Sequence, residues 1–219
     1  MPRVRFHDQI ETALAEIVEM ICLVDAAVEQ VTESLLTGDI RLAETVISQD
    51  DAIDALYRKL ELAIHEMFAR QAPVAGDLRA LIAIIRMIGD LERSGDLALN
   101  IAKTVRRIYP LELPAGCGPT VARMGEQARI LLQGAAQSVR DLEPDTAERL
   151  DLMDDVMDEL SVEMFRALAD PAAGVEVETA MHLALVTRYY ERIADHAVSV
   201  AERVEFLVTG SAHESHVGL

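Results

Sequence analysis

The stretch LIAIIRMIGDLERSGDLALNIA, residues 81–102, decides how this chain folds. Its apolar residues recur every three or four positions and no proline interrupts it, so it reads as one long amphipathic helix. A line through Leu78, Ile82, Ile85, Gly89, Glu92, Asp96 and Leu99 advances by alternating steps of four and three. That is the seam of a helix packed in a bundle, and it predicts that Glu92 and Asp96 face the bundle interior. The pentad ERSGD at 92–96 then returns as ERIAD at 191–195, in a second helix of the same character.

The repetition extends beyond the pentads. A shift of 99 residues lays Glu92, Arg93, Asp96, Ala98 and Ala102 on Glu191, Arg192, Asp195, Ala197 and Ala201. A shift of 104 lays Asp50, Asp51, Asp54 and Leu56 on Asp154, Asp155, Asp158 and Leu160. Periodicity, glycines and prolines predict six helices, over about Phe6–Thr37, Ile40–Arg70, Asp77–Tyr109, Thr120–Asp141, Asp145–Asp170 and Val175–Val208. Gly38 ends the first and Asp39 caps the second. Asp145 and Glu148 have the spacing of a capping box at the fifth. The midpoint stretch PLELPAGCGP holds three prolines and two glycines and separates the halves. At about 1.5 Å rise per residue the longest helices reach roughly 45–50 Å. The expected fold is all-α: two tandem three-helix bundles from an internal duplication, six long antiparallel helices in all. The expected boundaries are 1–110 and 119–210, with a frayed tail over 211–219, a reading favoured over adventitious metal binding by its two histidines.

Composition agrees. Apolar residues make up 51% of the 219, aromatics only 4%, and tryptophan is absent, which favours helices over strands. The net charge of −18 argues against nucleic acid as a partner and would repel an anionic lipid surface. Cys22, in an apolar helical run, and Cys117, in the Gly-rich loop, make no disulfide framework. The N-terminus lacks the apolar core of a signal peptide, and the longest aliphatic run, 80–85, is too short to span a bilayer. A cytoplasmic protein with no membrane insertion is expected.

Acids make up 38 of the 219 residues, so chance alone supplies roughly six or seven i,i+4 acid pairs. A single such pair is usually a solvated face. Here pairs fall on the apolar seam of two helices in each half. The second helix offers Ala43, Ile47, Asp50, Asp54, Tyr57, Glu61 and Ile64. The fifth offers Ala147, Asp151, Asp154, Asp158, Ser161, Phe165 and Leu168, and the sixth Val177, Met181, Ala184, Arg188, Glu191, Asp195 and Val198. Four gathered carboxylates cannot all stay ionised and unpaired, since like charges raise one another's pKa. Arg93 and Arg192 each follow their Glu by one position and point about 100° away. Cations remain, and oxygen donors suit Mg, Mn, Ca or Fe, with Zn less specific. Two metal sites are therefore expected: Asp50, Asp54, Glu92 and Asp96, with Asn100 a weaker candidate, and Asp154, Asp158, Glu191 and Asp195. Asp51 and Asp155 bridge or face solvent, Asp90 is expected at the surface, and His196 is as readily a packed histidine as a ligand.

These residues together resemble the PhoU family of bacterial phosphate-signalling regulators. ERSGD and ERIAD resemble its ERIGD pentad, VISQDDAID and DLMDDVMD its two acidic motifs, and PVAGDLRAL and ERIADHAVSVAERVEFLVTG the start of its third helix and its last helix. The likeness runs from about Phe6 to Gly210. It departs at Ser94, where the family has an apolar residue, and at Ala194, where it has glycine. The resemblance implies a pair of three-helix bundles whose acidic motifs hold multinuclear iron or zinc clusters on the eight carboxylates already named. It implies a non-enzymatic negative regulator of the Pho regulon that couples the Pst phosphate transporter to a sensor kinase. The implied partners are the sensor histidine kinase PhoR and the transporter ATPase PstB, with a homodimer as the assembly.

Two other readings stand beside it. Carboxylate pairs in helix bundles also build ferritin-like di-iron oxidoreductases, but those need Glu-x-x-His, and Leu62, Thr179 and Ile193 precede His65, His182 and His196 by three. A metal-free helical adaptor would use its acids only to bind Arg-rich partners. No P-loop motif or nucleophilic triad is present.

Overall fold

The computed structural model describes residues 2–71, 73, 75–110, 112–171 and 174–211. It contains six helices: α1 (Pro2–Thr37), α2 (Ile40–Gln71), α3 (Gly76–Arg107), α4 (Cys117–Asp141), α5 (Thr146–Ala169) and α6 (Val177–Thr209). Among the described residues there is no strand. Within each half the three helices pack on one another, α1 with α2 and α3, and α4 with α5 and α6. The halves join along two seams, α1 on α4 and α3 on α6. Thus α1, α3, α4 and α6 form the centre, and α2 and α5 flank it on opposite sides. One continuous hydrophobic cluster runs through both halves, from Phe6 to Val204.

The duplication holds in burial as well as in sequence. On α1 the fully buried positions Ile17, Ile21, Val24, Val28, Val31 and Leu35 are matched, 104 residues on, by Val121, Gly125, Ala128, Leu132, Ala135 and Val139 on α4, all buried. The α1–α2 turn forms as its residues predict. Gly38 takes φ 70°, its N–H reaching the Ser34 carbonyl at 2.9 Å. Asp39 accepts the Arg41 backbone N–H at 3.0 Å, satisfying one of the free donors of α2.

Three local expectations are corrected. Helix α3 ends at Arg107, short of Tyr109. Helix α4 begins at Cys117, so this cysteine is not in a loop: it opens the helix and is buried, while Cys22 is exposed. Asp145 makes no side-chain cap to α5. The Thr146 hydroxyl donates to Glu143 of the turn at 3.1 Å. The tail beyond Ser211 lies outside the described residues.

Candidate metal centres

The core face of α3 is Leu81, Ile84, Ile88, Leu91, Ala98 and Val105, buried against α1, α2 and α6. The line through Glu92 and Asp96 runs beside that face, not along it. Leu78 on the same line is 38% exposed, Glu92 is half-buried and Asp96 is exposed. On α6 the corresponding line starts at Val177 and Met181, 76% and 65% exposed. The carboxylates therefore do not face the bundle interior. A helix with a wide apolar face accepts a four-and-three line along its edge as well as its centre, and the unbroken run 80–85 gives no phase.

The edge placement still gathers each set. In the first half, Asp50 and Asp54 on α2 lie near enough to Glu92 and Asp96 on α3 for their charges to act on one another. Partial burial raises the pKa of Asp50, with Asp54, Asp96 and Asp51 adding to it and Lys103 opposing. Burial also raises Glu92, reinforced by Asp96, Asp54 and Asp50. Asp50, Asp54 and Asp96 thus all act on Glu92, and Asp54 and Asp96 also on Asp50. Asn100 sits half-buried one turn beyond Asp96. Arg58 lies 3.6 Å from Asp54 but is largely exposed, so that pair contributes little.

The second half is deeper. Asp154 on α5 is pushed up to about 7, first by burial, then by Asp195, Asp158, Asp151 and Asp155. Its Oδ1 is buried and meets no hydrogen-bond donor. Burial raises Asp158, with Glu191 and Asp155 adding, and burial likewise raises Asp195, opposed most by Arg188. Arg188 donates to Glu191 at 2.9 Å. It lay on the α6 line without an assigned role, and comparison of the repeats hides it because its mate is Gly89.

Asp51 and Asp155 are both exposed, so the solvent-facing alternative holds for them. The expectation for Asp90 is corrected: its side chain is only 15% exposed, and burial raises its pKa despite Arg93, Arg203 and Arg86 nearby. Its mate Tyr189 is partly buried on the core, which is the signal that the position faces inward. His196 is the packed histidine of the two alternatives. It is buried between α3 and α6, with Nδ1 3.0 Å from the Ser94 hydroxyl. That hydroxyl donates to the Asp90 carbonyl at 2.9 Å, so the histidine Nδ1–H is the donor to it. Ser94, the departure from the family pattern, is thus the partner of His196.

Among the described residues, no group of three or more His, Cys, Asp or Glu is already drawn into a geometry that would hold a metal ion. The donor chemistry nonetheless fits a hard cation, and the second set fits it best. A buried carboxylate oxygen with no donor, held among like charges, is what a cation would satisfy.

The comparisons with known proteins agree with the duplicated architecture. The family model described as "PhoU domain" matches twice, over residues 17–105 and 121–204. This chain belongs to the PhoU family. It is 40% identical over 210 residues to the phosphate-specific transport system accessory protein PhoU homolog 2 of Mycobacterium tuberculosis, covering 95% of this chain and 99% of that one. It is 39% identical over 213 residues to PhoU homolog 1 of Mycobacterium leprae, covering 97% and 96%. The crystal structure of PhoU from Pseudomonas aeruginosa superposes with a TM-score of 0.86 at 28% identity, covering 94% of this chain and all of that one. The phosphate transport system regulatory protein PhoU of Streptococcus pneumoniae, 22% identical with a TM-score of 0.86, shares the fold.

Proposed function

We propose that this PhoU protein is a non-enzymatic negative regulator of phosphate-starvation signalling, coupling a phosphate transporter to its sensor kinase. The observation that carries the reading is near end-to-end similarity, over 95–97% of the chain, to proteins named as accessory to phosphate-specific transport. The partners follow from the family resemblance: the sensor histidine kinase PhoR and the transporter ATPase PstB, met in the cytoplasm by a PhoU homodimer. No helix among the described residues is long and apolar enough to cross a membrane, so contact with a transporter would run through protein partners.

In this reading the two acidic sets hold metal ions, iron or zinc, and Mg or Mn by the same oxygen donors. Asp50, Asp54, Glu92 and Asp96 hold the first cluster, and Asp154, Asp158, Glu191 and Asp195 the second. The metals neutralise the carboxylates and fix α2 against α3 and α5 against α6, which sets the outer surface a partner meets. A phosphate-starvation reporter tests the regulatory role. In a strain lacking every PhoU paralogue and grown in excess phosphate, the reporter is on, and this gene alone returns it to silence. A reporter that stays on with the protein expressed overturns the reading. The Glu92→Ala/Asp96→Ala variant should contain less metal, and unchanged metal content removes the ligand assignment.

A further inference from the structure

Val162 and Phe165 follow Asp158 along α5 by one and two turns. Leu185, Met181 and Val177 precede Arg188 along α6 by about one, two and three turns. Helices α5 and α6 pack on each other, and the charges of Glu191 and Arg188 act on Asp158, which fixes the level at which they meet. The short connection between them makes them antiparallel. Steps of three and four residues therefore set these five side chains beside one another, beyond the acidic set. All five are large and apolar, and they are between 44% and 76% exposed.

The first half shows that the fold does not require them. Shifts of 104 and 99 residues carry Val162, Phe165 and Leu185 onto Arg58, Glu61 and Arg86. Glu61 accepts the Tyr57 hydroxyl at 2.8 Å, and Arg58 lies 3.6 Å from Asp54. Met181 becomes Ile82, which is half-buried. The same positions thus carry mostly charge in one copy and exposed apolar side chains in the other. Apolar side chains gathered on a surface mark a site of association.

We propose that this α5–α6 face docks an amphipathic helix of a partner protein, its apolar stripe flanked by Lys or Arg. Two antiparallel helices side by side offer two rows of side chains, between which the i, i+3, i+4 and i+7 residues of a third helix pack. Charge selects the partner. Glu159 stands three residues before Val162, and Glu176 and Glu178 flank Val177, all three exposed, against the cation of Arg166. None of these acids belongs to the candidate metal sets, so this border stays acidic with or without metal. A second copy would bring another −18 and the same border, and an anionic bilayer is repelled likewise. The inference stands apart from the regulatory reading above, and its failure leaves the reporter result untouched.

The test is fluorescence anisotropy of the full chain with three labelled 14-residue peptides, near physiological salt. One patterns leucine and lysine as an amphipathic helix. The second replaces its lysines with glutamate, and the third replaces its leucines with serine. The leucine–lysine peptide should bind saturably, at least about tenfold tighter than either control. Phe165→Ser/Met181→Ser should lose at least about tenfold for it, the worth of part of two apolar side chains. Leu62→Ser/Leu152→Ser, at exposed leucines away from this face, should stay within about twofold. If the first variant lacks native circular dichroism, Val177→Ser/Met181→Ser, in the exposed first turns of α6, takes its place. Equal binding of the serine–lysine peptide overturns the proposal, as does wild-type binding by the folded face variant or an equal loss in the Leu62/Leu152 variant. Light scattering separates the other occupant. A wild-type dimer that the face variant turns into monomer means that a second copy covers the face, and the partner assignment falls. An oligomeric state the variant leaves unchanged, with peptide binding lost, upholds it.

Discussion

The two halves of this protein share a backbone plan and differ in how they handle the same four carboxylates. In the first half the acids are less buried than Asp154, Lys103 opposes the charge on Asp50, and Gly89 carries no side chain on the α3 edge. In the second, Arg188 replaces that glycine and takes Glu191, while Asp154 sinks far enough to lose hydration and to reach about 7. Duplication copied the ligand-type residues and left their neighbours free to diverge. A carboxylate's chemistry is set by that neighbourhood, so the copies are chemically unequal.

The largest expected effect breaks that inequality with metal. A cation held a hundredfold above its dissociation constant stabilises the folded chain by about 2.7 kcal/mol. For a chain of this size that is about 5–11 °C in melting temperature. Thermal melts of the Asp154→Ala/Asp158→Ala variant should lose more of the metal-dependent shift than those of Asp50→Ala/Asp54→Ala. Equal losses would mean that burial does not rank the sites.

Without metal the ranking persists with the opposite sign. Asp154 titrates higher in the folded chain than its ordinary 3.8, so its proton stabilises the fold at low pH. That contribution is lost as pH rises through about 7. Chelated Asp154→Asn should therefore melt above chelated wild type at pH 8, by on the order of 2 kcal/mol, with a smaller gain for Asp50→Asn. Added metal should reverse the order, since the amide is a poorer ligand. A gain at Asp50→Asn equal to that at Asp154→Asn would remove the burial argument.

The contact between halves is unequal too. Ser94 and His196 form a buried polar pair whose mates are Ile193 and Leu97. Burial and the nearby Arg192 and Arg93 hold the His196 pKa down, to about 4. It stays neutral in the fold while the unfolded histidine takes a proton near 6.5, so its contribution is present above 6.5 and lost as pH falls toward 4. Ser94→Ala strands the Nδ1–H and should cost about 2 kcal/mol, measured by denaturant unfolding of chelated protein. Tyr190→Phe should cost about 1 kcal/mol or less. The Tyr190 hydroxyl lies 2.7 Å from the Thr32 hydroxyl, which already donates to the Val28 carbonyl, so its removal strands no donor.

Much of this was legible in the residues. The six helices, their order and the duplication followed from apolar spacing and from two shifts. The acids that share each groove followed because helix periodicity brings i and i+4 together whatever the helix's rotation. Rotation itself was the illegible part. In 80–85 every residue is apolar, so nothing told which flank meets the core, and Glu92 and Asp96 were turned inward when they lie at the edge. The same uncertainty put Asp90 at the surface. Its inward position depends on α6, a helix about 100 residues away that no local pattern reports. The role of Ser94 was equally distant, since only the fold brings it to His196.

The smallest effect concerns the turns that close each first hairpin. Gly38 takes a left-handed conformation with φ 70°, and 104 residues on, Leu142 takes it with φ 51°. A side chain in that region costs roughly 1–2 kcal/mol. Glycine recovers this and returns about 0.4–1 kcal/mol as unfolded-chain entropy. Leu142 is 38% exposed, so little packing is lost with it. Leu142→Gly should therefore stabilise the protein by about 0.5–1 kcal/mol, and Gly38→Leu should destabilise it by a similar amount, both read from melting temperature. The surrounding bonds are the same in both turns: Ser34 donates to the Asp39 carbonyl and Ser138 to that of Glu143. The backbone is thus held left-handed by its frame and not by the residue, so the leucine bears the strain. If Leu142→Gly instead destabilises, the leucine packs on something worth more than its strain, and the two turns are not equivalent.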